Sequence, residues 1–255
     1  MHDQVPLSRR DTIGSRLANG QTVVAAVLAA EFEVSEDAIR RDLRALAAEG
    51  KCRRVYGGAL PPSIGARPMA ARVEEAPERK LTLARAAVSS IQLGEFLFLD
   101  SGSTNLSLVS LLPENFKLTV ATNSIDIAAA VLRRGDIPLI VVGGSVDTRV
   151  GGSVDASAVA SIAQMNIDRC FIGACSVSPA NGIGCFVHAD ALFKRSLLEH
   201  SRVRVAMVTA DKFDERTPHR IGGPGEIEAV IVETDMPMED QDALAQAGFH
   251  LVQAS

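Results

Sequence analysis

From residue 96 onward, short continuous apolar runs recur between stretches of helical spacing, and few folds accommodate that rhythm. The runs lie at 96–99, 118–121, 138–142, 170–174, 203–208, 229–232 and 250–252. A helix near 81–91 precedes them, and helical stretches at 104–112, 124–133, 153–165, 189–200 and 238–247 separate most of them. A strand that is apolar on both faces must be covered on both, as in a mostly parallel sheet with helices on either side. Trp is absent and aromatics are 4%, so the core has to be built from Val, Ile, Leu and Ala. That suits α/β layers better than a sandwich with aromatic anchors. The repeated Gly-Gly-Ser-Val-Asp at 143–147 and 151–155 reads as two glycine turns around a short loop or hairpin.

The first 60 residues follow another pattern. Leu17, Val23, Val24, Val27, Leu28, Ile39, Leu43 and Leu46 fall at helical spacing. Asn19-Gly20 punctuates the first helix, and Thr22 is placed to cap the second. Phe32-Glu33-Val34 is a short break before Ser35, which caps the third. Residues 52–55, followed by Tyr56-Gly57-Gly58, read as a small β-wing. Pro61, Pro62, Gly65, Pro68 and Pro77 then fall within 17 residues. The expected organisation is a small N-terminal winged helix-turn-helix domain at 1–60, a linker at 61–80 and a larger α/β domain at 81–255.

The net charge of −5 argues against a nucleic-acid partner, but its distribution reverses that reading. Residues 40–54 hold six basic and two acidic side chains. On a helical wheel Ile39, Leu43 and Leu46 share one side, and Arg40, Arg41 and Arg44 cluster on the other. Three outward guanidiniums suit phosphates or the O6/N7 edge of guanine. Lys51, Arg53 and Arg54 follow where a wing would meet the DNA backbone. Glu36 and Asp37 precede Arg40 and Arg41 by one turn, which leaves open a solvated, internally paired face.

In the larger domain, Phe96-Leu97-Phe98-Leu99-Asp100-Ser101-Gly102-Ser103-Thr104-Asn105 takes an apolar strand into a Gly/Ser/Thr turn and then a helix, whose first N–H groups with the Ser and Thr hydroxyls would make an anion cradle. It is neither a P-loop nor a dinucleotide fingerprint. Thr122-Asn123-Ser124 and Gly143-Gly144 end further strands, Asp168 precedes another that leads to Gly173, and Lys212 follows a fifth. Ligands of open α/β sheets bind at carboxyl ends of strands, where these groups would converge. Cys52, Cys170, Cys175 and Cys185 match no zinc spacing and read as buried small side chains in a reducing compartment; Cys185 and His188 read as structural. No metal and no cofactor is expected. The absence of a leader or of an apolar run near 18 residues points to a cytoplasmic protein with no membrane partner.

The run Val34-Ser35-Glu36-Asp37-Ala38-Ile39-Arg40-Arg41-Asp42-Leu43, with Glu49-Gly50, Arg53-Arg54 and Gly57-Gly58-Ala59, resembles the DNA-binding signature of the DeoR family of bacterial regulators. The resemblance extends through Asp100–Thr104, Thr122-Asn123, Gly143-Gly144, Asp168 with Phe171-Ile172-Gly173, and Lys212-Phe213, and so covers nearly the whole chain. It implies a sensor domain similar in fold to ribose-5-phosphate isomerase that binds phosphorylated sugars or related metabolites. By position, Ser35, Ala38, Arg40, Arg41, Arg44, Lys51, Arg53 and Arg54 would meet DNA. Ser101, Gly102, Ser103, Thr104 and Lys212 would hold the phosphate, and Asp100, Asn123 and Asp168 would meet hydroxyls, with Thr122, Gly143 and Lys194 completing the effector site. Three departures stand out: Ala38 replaces the family's usual Thr, Asp190 its usual Glu, and the acid of the lysine motif is Asp211, with Thr209 three residues before Lys212.

The expected function is therefore a DNA-binding regulator, a repressor of a carbohydrate operon that a phosphorylated metabolite releases from double-stranded DNA. One recognition helix specifies too little DNA alone, so a homo-oligomer on repeated half-sites is expected. The alternatives are a sugar-phosphate isomerase with an appended DNA-binding module, which needs a base such as Asp168, and a regulator that senses protein partners only.

Overall fold

The computed structural model describes residues 8–18, 21–49, 51–60 and 69–254. The chain divides into two compact units, residues 1–67 and 68–255.

The first unit packs helices α1 (Arg9–Ala18), α2 (Ala25–Glu31) and α3 (Glu36–Ala48) on a small antiparallel sheet of β1 (Val23–Val24), β2 (Arg53–Val55) and β3 (Gly58–Leu60), in the order β1-β3-β2. Ile39, Leu43 and Leu46 of α3 recur every three to four residues and are buried against Ile13, Leu17 and Leu28. Ser35 caps α3, its side chain accepting from the Ala38 N–H, as expected. Thr22 does not cap α2. Val23 and Val24 pair with Ala59 and Gly58 first, so α2 starts at Ala25 with Val24 in the N-cap position. Gly58 has to be glycine, because a Cβ there would lie 2.0 Å from the Val23 carbonyl oxygen. The expected break at Asn19-Gly20 lies outside the described residues.

Residues 61–68 of the expected linker lie outside the described residues. The rest of that stretch holds α4 (Met69–Glu74) and the start of α5 (Pro77–Val88), with Pro77 in the first turn, where a missing N–H costs nothing. The main strands are β4 (Phe96–Leu99), β5 (Thr119–Thr122), β6 (Leu139–Val141), β9 (Ile167–Ile172), β12 (Ser201–Val208), β14 (Ala229–Glu233) and β15 (Leu251–Ala254). They form one seven-stranded sheet in the order β15-β14-β12-β9-β4-β5-β6, and every pairing is parallel. Side chains alternate between faces at period two. Leu97 and Leu99 enter one apolar layer with α5, α6 (Ser103–Val109) and α7 (Ile125–Arg134). Phe98 enters the opposite layer with α8 (Ala156–Ile162), α9 (His188–Glu199) and α10 (Met238–Gln246).

From the interior strand β4 the chain winds outward to β5 and β6, then returns to the central strand β9 on β4's other side. The carboxyl ends of β4 and β9 therefore flank a switch point, where the loops diverge and leave a crevice. The Gly-Gly-Ser-Val-Asp echo forms a hairpin, β7 (Val146–Asp147) with β8 (Gly152–Ser153). A second small antiparallel sheet, β10 (Ser176–Ser178), β11 (Gly182–Cys185) and β13 (His219–Gly222), was not legible in the sequence. Among the described residues no helix is long and apolar enough to cross a membrane, and no group of three His, Cys, Asp or Glu could hold a metal ion.

Candidate functional site

At the carboxyl end of β4, Asp100 is fully buried. Its Oδ2 accepts the Gly173 N–H at 2.8 Å, from the loop after β9, and Lys194 Nζ of α9 at 2.5 Å. Lys194 also lies 2.9 Å from Asp190 Oδ1, one helical turn earlier. All three side chains are at least nine-tenths buried. Burial pushes the Asp100 carboxyl up, and Asp190 adds to that against the pull of Lys194. Burial alone would depress Lys194, but the two carboxylates outweigh it and hold the ammonium above its ordinary value. Two acids thus share one cation. Asp100 Oδ1 and the neighbouring Ser101 Oγ are buried with no hydrogen-bond partner among the described residues. Each such orphan costs roughly 1–3 kcal/mol, which a ligand hydroxyl or phosphate oxygen would recover.

Several of the expected ligand contacts also brace the scaffold. Asn123 Oδ1 accepts the Ser101 N–H at 3.0 Å, and its Nδ2 donates to the Ser153 carbonyl at 3.2 Å. Thr122 Oγ1 donates to the Leu99 carbonyl and accepts the Ser124 N–H. Asn105, assigned no role in the sequence, donates to the carbonyls of both Asp100 and Phe171 and so ties β4 to β9. Gly102, Ser103 and Thr104 open α6, with Thr104 buried and Ser103 half-buried. Gly143 lies exposed, with open space around it. It is Gly152 that closes on the site: a Cβ there would meet the Asn123 carbonyl at 2.7 Å and Ser101 Cβ at 3.1 Å.

Lys212 stands on a single 3-10 turn, Ala210–Lys212, after β12. Its ammonium makes no ion pair or hydrogen bond among the described residues. Burial depresses it, and the like charges of Arg72 and Lys194 nearby add to that. The turn is braced: Glu233 accepts the Ala210 N–H at 2.7 Å and takes Arg79 in a two-pronged grip. Asp211, the displaced acid of the motif, lies 3.2 Å from the same guanidinium.

Asp168 is a correction. It is the second residue of β9, at the amino end of the sheet, where it accepts the Phe96 N–H and approaches Arg202 at 3.4 Å. A strand rises about 3.3 Å per residue, so the length of β9 separates Asp168 from Gly173 and the Asp100 cluster. It cannot meet the same ligand there, nor serve as the base that the isomerase alternative requires.

In the first unit, Arg40 pairs with Glu36 at 2.7 Å and Asp37 at 3.5 Å, and Lys51 with Glu49 at 2.7 Å. Arg40 is thus paired within its own helix. Arg41, Arg44 and Arg54 are exposed and make no ion pair among the described residues, so their charge is available to phosphates. Ser35 is spent on its cap, Ala38 is half-buried, Arg53 runs in β2, and its side chain lies outside the described part. Arg9 binds Asp42 at 2.6 Å and ties α1 to α3.

A helix-turn-helix with a β-wing and free arginines thus accompanies a buried polar cluster at a sheet switch point. The family model for the DeoR-like helix-turn-helix domain matches residues 9–64, and that for the DeoR C terminal sensor domain matches residues 75–234. The chain belongs to the DeoR family. It is a DNA-binding transcriptional regulator and not an isomerase. Similar DeoR-type proteins include the glycerol-3-phosphate regulon repressor of Escherichia coli K12, 28% identical over 85% of this chain and 86% of that one. The L-fucose operon activator of the same strain is 28% identical over 88% and 93%. A protein of Escherichia coli O157:H7, provisionally named as an aga operon transcriptional repressor, is 27% identical over 96% and 92%. Ribose 5-phosphate isomerase A from Neisseria gonorrhoeae superposes with a TM-score of 0.41 at 17% identity, covering 55% of each chain, an overlap too slight to carry an argument.

Proposed function

We propose that this regulator represses a carbohydrate operon and leaves its operator when a phosphorylated sugar or related metabolite fills the crevice between β4 and β9. One observation carries the reading: Asp100 Oδ1 and Ser101 Oγ lie buried with no hydrogen-bond partner among the described residues, and Lys212 is close enough for the charge of Lys194 beside them to act on it. A ligand with hydroxyls at one end and a phosphate at the other satisfies all three. Asp100 accepts from a hydroxyl, while Ser101 and Lys212 donate to phosphate oxygens. Two of the relatives above carry repressor names, and one is named for a phosphorylated polyol. Arg41 and Arg44 supply the DNA contacts, with Lys51 and Arg54 on the flanking backbone. The protein acts in the cytoplasm as a homo-oligomer, because one short helix reads too few base pairs for operator specificity.

The test is fluorescence anisotropy of the full chain on its own upstream DNA near 0.15 M salt, with and without a panel of sugar phosphates. Release by one compound, lost in Lys212→Ala while DNA binding persists, supports the reading. Specific binding that no compound relieves refutes the effector assignment.

A further inference from the structure

The effector crevice is wired to one particular helix, and that helix opens the second unit. The wiring begins at Asn123, which holds the Ser101 N–H with one side-chain atom and the Ser153 carbonyl with the other. Ser153 N–H returns a bond to the Asn123 carbonyl, and Ser124 bridges to Gly152. The β7–β8 hairpin is thereby laced onto the ligand turn along its returning strand. Gly152 fits against Asn123 and Ser101 only because it lacks a side chain.

The far side of the same hairpin rests on α4. Arg72 Nη2 donates to the carbonyls of Arg149 at 3.1 Å and Val150 at 3.3 Å. Gly151 has φ +82°, and a Cβ on it would lie 2.5 Å from both Cβ and Cγ of Met69, which is itself 2% exposed. Met69 thus fills the place beside Gly151 that any larger residue would need. Buried Lys80 of α5 holds the other end of α4 by the carbonyls of Arg72 and Glu75. The helix is anchored at its C-terminal end and gripped by the hairpin along its side. It also packs on α6, which starts at the ligand turn. In sequence, α4 is the first described element after residues 61–68, through which the chain runs from the DNA-binding unit.

We propose that α4 is the output of the effector site, and that Arg72 is the positioning residue coupling it to the hairpin. A ligand that engages Ser101 shifts the Ser101–Asn123–Ser153 lacing, the hairpin moves with it, and Arg72 and Met69 carry that displacement into α4. This rests on the regulator reading above for its meaning, though the coupling itself exists without ligand or DNA. Effector binding can weaken operator binding only by favouring one arrangement of such an element over another.

The test uses the full chain labelled at its methionine methyls, with Met69 assigned by Met69→Leu. Asn123→Ala perturbs the crevice end and removes only the side-chain bonds to Ser101 and Ser153, none of them to α4. The expected result is a displaced Met69 methyl resonance, with those of core Met207 and Met236 in place to show an intact fold. In an Arg72→Ala background the same substitution should move Met69 less than half as far. Should Asn123→Ala fail to fold, Gly152→Ala, which forces the hairpin off Asn123, replaces it under the same comparison. An unmoved Met69, or equal displacement in both backgrounds, overturns the coupling. Anisotropy on the upstream DNA then tests the output: Asn123→Ala should alter affinity at least five-fold, and Arg72→Ala should abolish that difference. Additive effects on affinity overturn α4 as output, whereas absence of any DNA binding would refute the regulator reading and leave the methyl result standing.

Discussion

Lys194→Met removes the one cation that two buried carboxylates share, and the structure sets the size of the loss. Asp100 Oδ2 lies 2.5 Å and Asp190 Oδ1 2.9 Å from Nζ. With an effective dielectric of about 20, each contact contributes roughly 6 kcal/mol of Coulomb energy. Desolvating three ionised groups costs several kcal/mol apiece and cancels most of that. The methionine fills similar volume, so the cavity contribution is small. What remains is the cost of uncompensated buried carboxylates, about 3–5 kcal/mol, a large part of the 5–15 kcal/mol that holds a domain folded. The variant can lower this cost by binding a proton, whose price falls about 1.36 kcal/mol per pH unit. With one proton taken up, the deficit relative to the parent should shrink by about 2.7 kcal/mol between pH 7.5 and 5.5. The sign follows from linkage. The variant's folded carboxyl pKa is raised above its unfolded value, so its stability falls as pH rises. Urea unfolding followed by far-UV circular dichroism at both pH values measures this. A loss below about 1 kcal/mol at pH 7.5, or a loss equal at both pH values, would refute the shared-cation account.

Four further outcomes are expected. Arg41→Ala should weaken operator binding by about 1–3 kcal/mol with unchanged thermal unfolding, while Arg54→Ala should lower the salt slope of binding by about one; anisotropy across a salt series reads both. Burial depresses the Lys80 ammonium from 10.5 to about 8, so between those values the unfolded chain holds a proton that the folded chain has lost. Parent stability should therefore rise with pH across that window, and Lys80→Met should lose the rise in chemical denaturation. Asp155 caps α8 and also accepts the Ser145 N–H, and these bonds, with the Ser157 hydroxyl first, hold its carboxyl at about 2 rather than 3.8. Asp155→Ala should lower the Tm by a constant amount above pH 4 and by less toward pH 2, and a Tm difference that grows with acidity would contradict the cap.

The sequence alone determined the seven parallel strands and the helices between them. Strands buried on both faces must be apolar throughout, and the sheet that results allows little freedom in where such runs lie. The α3 wheel was equally legible, because three buried positions and three arginines are fixed by one period of 3.6. The small β10-β11-β13 sheet was not: Gly182-Ile183-Gly184-Cys185 carries too few side chains to show alternation, and its partner β13 lies beyond α9 and β12 in the chain. For the site, the one-turn spacing of Asp190 and Lys194 follows from the helix, but Asp100 lies 94 residues before Lys194, and only the β4–β9 switch brings the three together. The same three-dimensional winding put Asp168 at the wrong end of its strand and made Asn105 a brace between strands. A sequence specifies local periods because they repeat within a few residues. Which strand ends meet is decided by the order in which the sheet is wound, and that order appears only when the layers pack.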